Sequence, residues 1–174
     1  MTKGYVQVYT GDGKGKTPRR WAWRCGPLAR ACGCISASFS RMFPVVQPKR
    51  FPTGFRKSRC ASSAVERVCF WDGTKKKEDR ECAQRGFAAC EEAIRSQAYD
   101  LVILDEINVA VSLGLVSEGQ MLSLLKHRPS SVELVLTGRG ACESVQKAAD
   151  LVTELCERKH YFHQGVAARR GIEE

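Results

Sequence analysis

The chain has 174 residues, 43% of them hydrophobic and 27% charged, with a formal net charge of +9. That length can bury the core of one ordinary domain without disulfides, and no apolar run approaches membrane-spanning length. Met1-Thr2-Lys3-Gly4 leads directly into a strand-like run with no signal pattern, so the expectation is a soluble, cytoplasmic protein with one domain over residues 1–174.

The first element is the strand YVQVYT, which delivers the chain to GDGKGKT, residues 11–17. Gly11, Gly13 and Gly15 let the backbone turn its N–H groups inward around an anion. Lys14 and Lys16 add positive charge, Asp12 sits between the first two glycines, and Thr17 offers a hydroxyl to Mg²⁺. A glycine-rich turn beside two solvated lysines is the plainer alternative. Gly-Lys-Thr placed directly after a strand favours phosphate, although the loop is one residue short of G-x-x-x-x-G-K-[ST] because position 10 is Thr.

Residues 18–65 differ in kind from the rest. They hold ten Lys or Arg and no Asp or Glu, leaving 18 basic and 19 acidic residues in the other 126. The same stretch holds five of the six prolines and four of the nine cysteines. An odd cysteine count, with Cys25, Cys32, Cys34 and Cys60 at no common zinc spacing, reads as reduced thiols, with a zinc cluster as the lesser alternative. So uneven a composition marks a boundary of some kind.

Downstream, EDRECAQRGFAACEEAIRSQ places Ala83, Phe87, Cys90 and Ile94 at helical spacing. YDLVILDEI is a short apolar run ended by Asp105 and Glu106, as expected of a strand buried on both faces with two carboxylates at its tip. SEGQMLSLLKHRP has Ser117 and Gln120 in capping-box spacing and reads as an amphipathic helix ending before Pro129. VELVLTGRG is a further buried strand, ACESVQKAAD a helix and LVTEL a shorter strand. This alternation predicts an α/β fold with a mainly parallel sheet, whose ligands bind at the carboxyl ends of the strands. Asp105 and Glu106 then complete a nucleotide site, one of them holding the metal that bridges the phosphates; an acidic pair that caps the next helix is the alternative.

GDGKGKT, YDLVILDEIN, RPSSVELVLTGR, ADLVTEL, KH and the terminal GIEE occur in an order and spacing that resemble the P-loop ATP:corrinoid adenosyltransferases. The resemblance covers residues 3–17 and about 68–174. It implies a P-loop NTPase-like three-layer fold and an unusual use of the loop. In that family the Co(I) of a reduced corrinoid (cobalamin, cobinamide or cobyrinic acid diamide) attacks the 5′ carbon of ATP and expels triphosphate. Loop N–H dipoles, lysines and Mg²⁺ would stabilise the leaving group as its charge grows.

By that resemblance, Lys16 and Glu106 are the catalytic candidates. Gly11, Asp12, Gly13, Lys14, Gly15, Lys16 and Thr17 surround the ATP phosphates, and Thr17, Glu106 and Asp105 are the metal ligands. Phe70 and Trp71 of CFWDG stand where the family has aromatics that press on the lower face of the corrin; ordinary core aromatics are the alternative. Arg139, Lys159 and His160 match LTGR and KH and lie near the ligands, with surface charge for Lys159 and a hydrogen-bonded packing role for His160 as alternatives. A homodimer and an electron donor such as a reduced flavin or flavoprotein are also implied.

The segment from Pro18 to Val65 departs from the pattern, which would continue with a second Thr, a small-residue helix and an interior strand. Neither is recognisable, and the first helix and second strand are expected to be disrupted. With suitable synonymous codons and one base restored after the Thr17 codon, TPRRWAWRCGPLARACGCISASFSRMFP can be read as TTAALGLALRAAGAGLRVYIGQFLKDVP. That string holds an Ala/Leu helix and an alternating strand. Residues 18 to about 66 therefore resemble an out-of-frame translation.

Two other classes fit parts of the chain. A generic P-loop kinase or NTPase would share the loop and the acidic strand tip. A nucleic-acid-binding module would use the basic segment with Trp21, Trp23 and Phe39 for stacking, and is the less favoured because it depends on that segment alone.

Overall fold

The computed structural model describes residues 3–16, 34–39, 76–167 and 169. Strand β1 (Val6–Thr10) and strand β2 (Cys34–Ser38) are followed by helix α1 (Lys76–Arg95) and strand β3 (Leu101–Asp105). Helices α2 (Ile107–Ser112) and α3 (Glu118–His127), strand β4 (Glu133–Thr137), helix α4 (Glu143–Ala148) and strand β5 (Leu151–Glu154) come next. A 3₁₀ turn over Tyr161–Gln164 closes the described chain.

Among the described residues the strands form one five-stranded sheet in the order β2-β3-β4-β1-β5. Every pairing is parallel. Side chains alternate between its faces as the two-residue strand period requires. Val6, Val8, Val102, Leu104, Leu134 and Leu136 point into a core shared with Phe87, Ile94, Ile107, Met121 and Val145 of the helices. Tyr9, Leu101, Ile103 and Val135 form a second cluster with Leu155. Burial on both faces is why β3 and β4 carry near-continuous apolar runs.

Helix α1 follows from its sequence period: Ala83, Phe87, Cys90 and Ile94 are buried while Arg80, Glu81, Arg85 and Glu92 are exposed. Burial in the core pushes the Cys90 thiol up to about 12, as expected of an inert packing cysteine. Helix α3 carries the anticipated capping box. The Gln120 N–H donates to Ser117 Oγ at 3.2 Å and the Ser117 N–H to Gln120 Oε1 at 2.9 Å.

The segment after the loop requires a correction. Cys34–Ser38 forms a strand in full register with Leu101–Asp105, so the second strand is present in the sequence as it stands. Among the described residues it stands at the end of the sheet, beside β3. CISAS contains no proline, and pairing with β3 through backbone groups does not need an apolar alternation. Thr17, Phe70, Trp71 and the region expected to hold the first helix lie outside the described residues.

Candidate functional site

Parallel strands gather their carboxyl ends along one rim, and the residues singled out in the sequence meet there. Strand β1 ends at Thr10 and leads into the glycine loop; β3 ends at Asp105, β4 at Thr137 and β5 at Glu154.

The loop is held against the exit of β5. Gly13 N–H donates to the Leu155 carbonyl at 2.6 Å, and Leu155 N–H donates to the Thr10 carbonyl at 2.9 Å. A Cβ on Gly11 would stand 2.5 Å from Leu155 O and one on Gly13 2.7 Å from the same atom. Gly11 also has a φ of +91°, which L side chains rarely adopt. These glycines therefore serve the close approach of two backbones as well as any ligand. The Gly13 N–H is already engaged by Leu155, which removes one donor from the inward-turned set expected from the sequence.

Lys16 is 6% exposed and folds back across the loop. Its ammonium donates to the Gly11 carbonyl at 2.6 Å and to the Gly13 carbonyl at 2.7 Å. Burial holds its pKa below the usual lysine value, with the Arg139 charge acting the same way and Glu106 and Asp12 opposing. A buried ammonium near carboxylates and a guanidinium, at the rim of a parallel sheet, is poised for an anion.

Asp105 and Glu106 play different parts. Asp105 is 2% exposed, and its Oδ1 accepts the Thr137 hydroxyl at 2.8 Å. The same hydroxyl accepts the Glu106 N–H at 2.9 Å, so Thr137 ties the tips of β3 and β4 together. Glu106 sits at the N-terminus of α2 with φ 60° and ψ 19° and makes no side-chain cap bond, which removes the capping alternative for this residue. A non-glycine residue in that region costs about 1 kcal/mol or more and is characteristic of functional turns. Gly138 permits it, because a Cβ there would lie 3.2 Å from Glu106 Cα and 3.1 Å from Val109 N.

The remaining matched residues are placed as follows. Arg139 is exposed at the end of β4 and within electrostatic reach of Lys16. Lys159 is exposed. His160 Nδ1 accepts the Phe162 N–H at 3.0 Å, the hydrogen-bonded packing role given as its alternative. Lys14 is exposed, and its ammonium donates to the Tyr161 hydroxyl at 2.5 Å. Thr137, Tyr161 and the buried Asn108, whose Nδ2 donates to the Gly138 carbonyl at 3.3 Å, have no counterpart in the sequence reading. Thr137 could have been noticed as a hydroxyl at a strand tip, whereas Tyr161 lies 147 positions from Lys14 and only the fold joins them.

A Mg²⁺ ion fits the donor set in a limited way. Among the described residues no group of three or more His, Cys, Asp or Glu side chains could hold a metal. Mg²⁺ typically takes one or two protein oxygens and completes its shell with phosphate and water. Glu106 is suited to that role, whereas one oxygen of Asp105 is committed to Thr137. Among the described residues, no helix is long and apolar enough to cross a membrane.

Comparison with known proteins adds an independent finding. Residues 2–173 match the family described as ATP:corrinoid adenosyltransferase BtuR/CobO/CobP. A corrinoid adenosyltransferase of Sinorhizobium sp. is 28% identical over 98% of this chain and 80% of its own length. One from Pseudomonas aeruginosa is 28% identical over 98% of this chain and 84% of its own. The corrinoid adenosyltransferase CobA of Salmonella typhimurium is 29% identical over 98% and 86%.

Proposed function

We infer, from a chain that belongs to the ATP:corrinoid adenosyltransferase family, how the loop site serves ATP-dependent transfer of an adenosyl group to a corrinoid in cobalamin biosynthesis. The observation that carries the reading is Lys16, enclosed by its own loop at the carboxyl rim of the sheet and within the field of Glu106.

The site binds the triphosphate of ATP as a leaving group. A Co(I) corrinoid supplies the electron pair that forms the Co–C bond at the 5′ carbon, and the C–O bond breaks toward triphosphate. Lys16 exchanges its loop carbonyls for phosphate oxygens, and Lys14 adds charge from outside. Asp12, Gly11, Gly13 and Gly15 shape the loop, and Arg139 adds cationic field. Stabilisation of charge that grows during reaction accelerates the chemical step more than it tightens ground-state binding. Glu106, with Thr17 and Asp105 as further candidates, would hold a Mg²⁺ ion. That ion would neutralise part of the triphosphate charge.

Phe70 and Trp71 form the seat of the corrin in this reading. A reduced flavin or flavoprotein supplies the electron, the protein works as a homodimer, and its place is the cytoplasm. The reaction serves biosynthesis or salvage of adenosylcobalamin.

The test is to supply a chemically reduced corrinoid and MgATP and to follow the phosphorus products by ³¹P NMR alongside the corrinoid spectrum. Triphosphate formed in step with the Co–C bond is expected; ADP or orthophosphate as the primary product would overturn this reading in favour of a kinase or NTPase.

The basic segment is read as a frame artefact. The alternative string places VYIGQ at positions 34–38, the stretch that CISAS fills as β2. The fold thus has a strand at the place where the restored frame supplies an alternating one. The positive charge of residues 18–65 then has no role in nucleic-acid binding.

A further inference from the structure

Lys14 is an exposed lysine in a phosphate loop, and such a side chain ordinarily samples many rotamers. Here its ammonium donates to the Tyr161 hydroxyl at 2.5 Å and lies 5.2 Å from the centre of the Tyr161 ring. The guanidinium carbon of Arg169 stands 4.9 Å from the same ring centre. Two cations are therefore gathered on one phenol at the mouth of the loop.

Tyr161 is itself held in place. It opens the 3₁₀ turn that His160 caps through its Nδ1, and Gly165, with φ 81°, closes the turn. The His160 ring packs on Tyr161 at a centroid distance of 4.5 Å. Upstream, Leu155 accepts the Gly13 N–H at 2.6 Å, so the chain from Leu155 to Tyr161 is attached to the loop at two consecutive loop residues. A hydrogen bond to a fixed phenol selects one placement of the lysine before ligand arrives. This reduces the ordering cost at binding.

We propose that Tyr161 is a positioning residue that presets the Lys14 ammonium for the triphosphate of ATP. The inference rests on the loop being the triphosphate site. The phenol takes no part in bond making and acts only through Lys14. It assigns to the segment after β5 a share in leaving-group binding that the glycine loop alone would not suggest.

The experiment is calorimetric titration of the full chain with inorganic triphosphate and Mg²⁺, using wild type, Lys16→Met, Tyr161→Phe, Lys14→Met and the Lys14→Met/Tyr161→Phe double variant. Tyr161→Phe keeps the ring and both cation contacts and removes only the hydroxyl. It is expected to weaken binding roughly three- to tenfold, with an unchanged unfolding midpoint. In the Lys14→Met background the same change should have no effect, because the residue it positions is gone. Equal losses in both backgrounds would mean a structural role and overturn the proposal, as would wild-type or tighter binding by Tyr161→Phe. If wild type fails to bind triphosphate, or Lys16→Met binds as well as wild type, the loop assignment itself falls. A loss in Lys16→Met without one in Tyr161→Phe overturns only the positioning role.

Discussion

The Thr137 hydroxyl donates to Asp105 Oδ1 at 2.8 Å across the boundary between β4 and β3. Because the Thr137 hydroxyl oxygen also accepts the Glu106 N–H at 2.9 Å, one side chain fixes both acidic residues of the rim. Thr137→Val preserves the shape and removes the donor to a buried carboxylate. It is expected to cost about 1–3 kcal/mol of stability and to weaken MgATP binding together. Thr137→Ser should restore most of both. Urea unfolding followed by nucleotide titration on the same samples checks this, and a stable Thr137→Val that binds normally would contradict it.

Lys16 yields a prediction in pH. Its folded-state pKa is lowered, so between that value and 10.5 the unfolded chain holds more protons than the folded one. Stability then rises with pH through that window, and the penalty for burying the ammonium is fully present below it. Lys16→Met removes this contribution, so the difference in unfolding free energy between wild type and variant should move in favour of wild type as pH climbs toward 10.5. Triphosphate favours the protonated lysine, so binding within the window should take up protons and weaken as pH rises. Titrations in buffers of different ionisation enthalpy measure the uptake. A wild type whose binding shows no proton linkage in that range would refute the assignment.

Much of this site was legible because buried parallel strands write themselves as largely apolar runs, with Gly11 directly after β1 and Asp105 at the tip of β3. Helix α3 was legible for a local reason, the Ser117–Gln120 box. Strand β2 was not, since a strand of Cys, Ile, Ser, Ala and Ser pairs through its backbone and shows no two-residue apolar period. Helix α2, with six residues, is too short for a helical period to show. The link between Lys14 and Tyr161 spans 147 positions, beyond any spacing rule.

Gly13→Ala tests whether the loop depends on its contact with β5. The added Cβ would meet Leu155 O at 2.7 Å and Cys156 C at 2.9 Å, both backbone atoms that cannot swing aside. The loop must move outward, which should cost roughly 1–3 kcal/mol and reduce triphosphate affinity by more than tenfold. Gly119→Ala, in helix α3 with nothing within 4 Å of the added atom, is the control and should leave binding unchanged.

Glu106→Gln keeps the size of the side chain and removes its charge. If Glu106 holds Mg²⁺, ATP affinity measured with Mg²⁺ should fall about tenfold, equivalent to ~1.4 kcal/mol. Affinity measured in EDTA should stay level or rise, because a negative charge near the phosphates has gone. An equal fall in both conditions would assign Glu106 to structure and not to the metal.

The frame reading leads to a comparison between two chains. A helix following a phosphate loop aims its N-terminal N–H groups at the anion, and its apolar face packs on the sheet. The restored string supplies Ala and Leu at helical spacing for that element, whereas the sequence as it stands has Pro18, Arg19, Arg20, Trp21 and Trp23 there. The frame-restored protein should therefore unfold at higher urea and bind MgATP at least tenfold more tightly than the present chain. Resequencing the DNA from the Thr17 codon to the Val68 codon decides which of the two the organism makes. A read with one more base near the Thr17 codon and one fewer near the Glu66 codon would establish the restored chain as the working enzyme. A read returning the present sequence, together with tight MgATP binding by this chain, would show that the basic segment supports the loop by other means.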